Sequence, residues 1–135
     1  MTPQAVHDEV LKRFPEVAPR LSEGDEELPY LVVSRIADWL STVARPAIAP
    51  EIVSRVVDFH AWALDQPRGE TAADDVYTIV CIAFMESLFR DDALLPLIPK
   101  LIPRTEMLEN RDYLHQWVGR DRYEKTLLLY PVERR

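Results

Sequence analysis

Ten consecutive uncharged residues, V-Y-T-I-V-C-I-A-F-M at positions 76–85, lie between Asp74-Asp75 and Glu86. In a folded, water-soluble chain such a run is buried on nearly every side, because leaving one large apolar side chain in water forfeits roughly 1.5–3 kcal/mol. Its residue types would suit a strand, since Val, Ile, Tyr and Phe pack well on a pleated surface. A strand needs a partner, however, and no other stretch alternates apolar and polar residues as one would. The preceding Thr71-x-x-Asp74 has the form of a capping box with aspartate in place of glutamate. The run is therefore predicted to form a buried central helix over about residues 71–90, with the rest of the chain wrapped around it.

Eleven prolines and three glycines set the breaks elsewhere, and the glycines (Gly24, Gly69, Gly119) fall between periodic segments. Thr2-Pro3 reads as an N-cap followed by a first-turn proline, opening a helix to about Phe14 that Pro15 stops. Residues 15–27 are a polar connection ending in Asp25-Glu26-Glu27. Over residues 29–44, Val32, Val33, Ile36, Leu40 and Val43 recur at helical spacing, with Ser34, Asp38 and Ser41 on a wet face. Pro50 opens a further helix, with Ile52, Val53, Val56, Val57, Phe59, Ala63 and Leu64 on one broad side and Glu51, Arg55, Asp58 and Asp65 on the other. Asp91-Asp92 caps the next stretch, where Pro96, Pro99 and Pro103 forbid one long helix and leave short turns packed by Leu94, Leu97, Ile98, Leu101 and Ile102. Thr105 opens a last clear helix through Met107, Leu114, Trp117 and Val118, closed by Gly119. The tail, residues 120–135, docks through Leu127-Leu128-Leu129-Tyr130 in a form the pattern leaves open. The expected fold is all-α: a single-domain bundle of about six helices over residues 1–135, with helix pairs compatible with α-solenoid packing.

At 135 residues the chain is long enough to bury roughly two thirds of the surface its unfolded form exposes. No window approaches the ~18 uncharged residues of a membrane span. One cysteine makes no internal disulfide, and the N-terminal M-T-P-Q-A-V-H-D-E-V has neither the basic start nor the apolar core of a signal peptide. The expected location is cytoplasmic. The net charge of −7 is unevenly spread: residues 1–94 carry 17 acids and 8 bases (−9), residues 95–135 carry 6 acids and 8 bases (+2). An acidic body repels phosphate backbones, which argues against nucleic acid as the main partner and allows a basic protein to be steered in. Charge of this size also serves solubility alone, the plainer reading.

Candidate chemistry is sparse. His60 lies among Val56, Val57, Ala63 and Leu64 with no orienting partner or nucleophile nearby in sequence, so it reads as a core histidine. His115, Asp112 and Glu109 could share a helical face, but zinc sites usually draw on more histidine and cysteine than this. Cys81, mid-run, reads as a buried and inert thiol. Asp74-Asp75 and Asp91-Asp92 sit where helix starts favour negative charge. Of Trp39, Trp62 and Trp117, Trp62 falls on the more polar side of its helix with Arg55, Asp58 and Asp65, a setting that fits a binding anchor and equally fits packing against a neighbouring helix.

The segments Phe14-Pro15-Glu16, Glu27-Leu28-Pro29-Tyr30, and Asp74-Asp75-Val76 leading into Phe84-Met85-Glu86-Ser87-Leu88 resemble a family of small, uncharacterised, all-helical bacterial proteins. These in turn are similar to the helical immunity proteins of polymorphic toxin systems, which are acidic, single-domain and non-enzymatic. The resemblance implies a fold and, by a further step, toxin neutralisation; it carries over no functional residue. The expectation is a non-enzymatic protein-binding domain with no cofactor, no metal, no nucleic acid and no membrane as partner. Its contacts are expected at Asp25, Glu26, Glu27, Asp58, Trp62 and Asp65. A homodimer stays open, and the alternative is a small-molecule-binding or enzymatic helical domain.

Overall fold

The computed structural model describes residues 3–45, 47–71 and 75–131, and among them every regular element is helical. The elements in order are α1 (Pro3–Arg13), 3-10 turns at Pro15–Arg20 and Asp25–Glu27, α2 (Pro29–Val43), α3 (Pro50–Leu64), a π-helical segment (Thr78–Ala83) running into α4 (Phe84–Phe89), and a 3-10 turn at Leu95–Leu97. Then come α5 (Ile98–Leu101), α6 (Arg104–Glu109), α7 (Arg111–Val118) and α8 (Arg120–Leu127). The proposed caps at Thr2 and at Asp74 lie outside the described residues.

Three helices begin on a proline, at Pro3, Pro29 and Pro50, where the missing N–H costs nothing and the fixed φ is already helical. α2 buries Val32, Val33, Ile36, Ala37, Trp39 and Leu40. α3 buries Val56, Phe59, His60 and Ala63, a narrower face than the residue pattern suggests. Val57 and Leu64 are exposed, because each lies one residue, about 100°, beyond that stripe.

The uncharged run is helical and largely buried, with Val76, Ile79, Val80, Cys81, Phe84 and Met85 shut off from solvent. It is not one regular α-helix. The six π-helical residues of Thr78–Ala83 widen the turn before the α geometry of α4 resumes. The whole segment packs on α2, its π part also on α3, and α4 on α7. The expected last helix is two, α6 and α7, divided at Asn110, and the tail contributes α8, whose Tyr123 and Thr126 are buried. Gly119 joins α7 to α8 at φ 101°, ψ 139°, a backbone shape that only glycine adopts without strain. One hydrophobic cluster takes residues from α1 (Val6, Val10) through α8 (Tyr123). No helix among the described residues is long and apolar enough to cross a membrane.

Candidate functional site

Three ionisable side chains meet inside this apolar cluster. The inward face of α3 carries His60, the π-helical turn carries Cys81, and the first turn of α6 carries Glu106; they are 2%, 0% and 7% exposed. One ligating atom from each, an imidazole nitrogen, the thiol sulfur and a carboxylate oxygen, lies within 4.8 Å of the other two. The sulfur stands 3.9 Å from both His60 nitrogens, equidistant from the two. The carboxylate is better served: the Tyr77 hydroxyl donates to Glu106 Oε2 at 2.9 Å, and Asn110 Nδ2 donates to the Glu106 backbone oxygen at 2.8 Å.

Burial sets the protonation of these groups. Removal from water lowers the His60 imidazolium's stability, so its pKa falls and the ring is neutral. The same desolvation, aided by the nearby negative charge of Glu106, pushes the Cys81 thiol far up, so it keeps its proton. Burial, with the hydrogen bond to and charge of Glu106, pushes the Tyr77 phenol up to about 12 despite the opposing contact from Asn110. Tyr77 is thus a donor throughout the ordinary pH range. At the mouth of the π-helical segment, Asp75 is buried but ion-paired: it accepts from Arg68 Nε and the Gly69 N–H, both at 3.0 Å, and from the Thr78 hydroxyl at 2.6 Å.

The residues singled out for partner binding divide into two places. In the Asp25–Glu27 turn, Asp25 accepts the Ser22 N–H at 2.7 Å and Glu26 accepts the Gly24 N–H at 3.1 Å, so both acids brace their own loop. Glu27 is exposed. Asp58 and Trp62 on α3 and Asp65 at its C-cap follow one ridge at i, i+4 and i+7, and both aspartates are exposed with no side-chain hydrogen bond or ion pair among the described residues. Trp62 between them is half-buried, its ring stacked on Phe59 at 5.7 Å and 12°, with the Arg13 guanidinium 6.0 Å away. The neighbouring ridge shows Val57, Ala61 and Leu64 to solvent, with Val57 41% and Leu64 40% exposed.

No known protein family, curated protein or solved structure matches this chain. Its own geometry carries the functional reading. Residue order gives no hint that His60 meets Cys81 and Glu106, since the partners stand on separate elements. The one local hint is that Glu106 is an acid in the first turn of a helix beside buried Met107. His115, by contrast, has left Asp112 and Glu109 for α8, where its Nε2 meets Glu124 Oε1 at 3.0 Å. Among the described residues, His60, Cys81 and Glu106 are the one group of three such side chains close enough to share an ion.

Proposed function

We propose that this chain is a non-enzymatic binding protein whose outer α3 face holds a basic protein partner. One observation carries the reading: the solvent-facing line Val57, Ala61, Leu64 runs beside the unpaired carboxylates of Asp58 and Asp65. An apolar stripe supplies area to bury, and the acids beside it select lysine or arginine on the other side and repel acidic competitors. Trp62, already held against Phe59, offers a rigid floor between the two aspartates. A second copy of this chain is the poorer occupant, since each copy carries −7. The sharpest form of the reading, resting on the resemblance to helical immunity proteins, is a bacterial protein that neutralises a toxin in the cytoplasm.

Rebinding of the purified partner, once identified in the native host, provides the test. Asp58→Lys combined with Asp65→Lys is expected to weaken binding by about tenfold or more. Thermal stability should barely move, because both positions are exposed and unpaired. Unchanged affinity in the double variant removes α3 as the interface. For the toxin form, co-expression should rescue growth from the partner, and the double variant should not.

A further inference from the structure

We infer that His60, Cys81 and Glu106 form a buried site for a thiophilic divalent cation of the zinc class. The donor set is one imidazole, one thiol and one carboxylate, the three protein ligand types that zinc takes, and the thiol biases the choice away from magnesium and calcium. Spacing agrees. Bond lengths of about 2.0–2.3 Å to a common ion put ligand atoms roughly 3.3–4 Å apart; the sulfur is 3.9 Å from either His60 nitrogen, and no pair of the chosen atoms exceeds 4.8 Å.

Two further features call for an ion rather than a plain polar core. His60 is 2% exposed, and among the described residues the Cys81 sulfur, a weak hydrogen-bonding atom 3.9 Å away, is the one side-chain partner of its ring nitrogens. A cation would give all three side chains a stronger common partner than the long sulfur–imidazole contact provides. In addition, Tyr77 donates to one oxygen of Glu106, while the other accepts no hydrogen bond among the described residues. A ligating carboxylate is commonly held in this way by an outer hydrogen bond. The wide π turn that presents Cys81 is also a feature often found at functional sites. When the metal binds during refolding, the Cys81 thiol loses its proton to the buffer and stays as thiolate against the metal.

The ligands are shut inside the fold, so loading is tested on refolding. The full chain is denatured, refolded with Co(II) or Zn(II), desalted and assayed for bound metal. The expected result is one metal per chain, a thiolate-to-cobalt charge-transfer band, and a higher Tm than metal-free protein. Cys81→Ser should lose the band. Tyr77→Phe, which keeps every ligand, should weaken affinity about 10- to 100-fold. Absence of the charge-transfer band in refolded wild-type protein overturns the site, whether or not any ligand variant folds. Equal metal loading by folded Cys81→Ser overturns it as well, since surface acids or His115 would then be the binders.

Discussion

Asp75 shows how one carboxylate can hold a fold together. Burial by itself would raise its pKa, but hydrogen bonds from Thr78, the Gly69 N–H and Arg68, with the Arg68 charge, outweigh that and hold it below the ordinary value of about 3.9. A depressed folded pKa means that the unfolded chain binds the proton more readily. The stabilisation is complete above the ordinary aspartate value and is lost as pH falls through the folded one. Asp75→Asn is therefore expected to cost about 1–3 kcal/mol at neutral pH, because the amide leaves buried donors without a charged acceptor. In urea titrations at several pH values, the gap between wild type and variant should close below about pH 4; a gap that persists in acid would mean the ion pair contributes nothing. Single positions of this kind were partly legible in the sequence. Cys81 and His60 read correctly as interior residues, because apolar neighbours flank both. That they face each other and Glu106 was not legible, since α3, the π-helical segment and α6 meet only through tertiary packing.

Two arginines perform the same task for different helices. Arg55 of α3 reaches the Arg13 carbonyl at the end of α1 with Nε and Nη2, at 3.1 and 2.8 Å, and grips Glu16 just beyond with both terminal nitrogens, at 2.7 and 2.6 Å. Its guanidinium also lies over the rings of Phe14 and Trp39, at 5.3 and 5.2 Å. Arg122 of α8 repeats the device on the Phe89 carbonyl at the end of α4, at 2.7 Å, with Asp92 as its acid. Each places a cation where a helix leaves carbonyls unpaired and its dipole is negative. Lysine cannot span both acceptors. Arg55→Lys should thus lower stability by about 1.5–3 kcal/mol, read as a lower urea midpoint at constant slope. Arg122→Lys should cost less, because its Asp92 partner is 85% exposed and a surface pair contributes little. Equal losses would show that the carbonyl contacts, which the two share, set the cost. Helix starts were legible because proline marks them at Pro3, Pro29 and Pro50. The π turn was not: its i→i+5 bonding leaves the apolar pattern of residues 76–85 unchanged, and only neighbours on both sides fix it.

Under the proposed binding role, charge and shape would divide the labour across the molecule. The −9 balance of residues 1–94 sets a long-range field, whereas the α3 stripe of Val57, Ala61 and Leu64 acts only on contact. Fields steer encounter and so act on the on-rate; buried contacts hold the complex and so act on the off-rate. Raising salt from 0.1 to 1 M shortens the screening length from about 10 to about 3 Å. Association with a basic partner should slow by roughly one to two orders of magnitude over that range, with the off-rate changing far less. Glu27→Lys, at an exposed acid with no local bracing role, should slow association modestly and leave dissociation and folding alone. The same change at Asp25 or Glu26 also removes a hydrogen bond to the Ser22 or Gly24 N–H, so it should lower stability as well. Leu64→Ala should do the reverse of Glu27→Lys, speeding dissociation at an unchanged on-rate. Stopped-flow association and dissociation traces separate the two effects. An on-rate indifferent to salt would leave the acidic surface with solubility as its whole purpose.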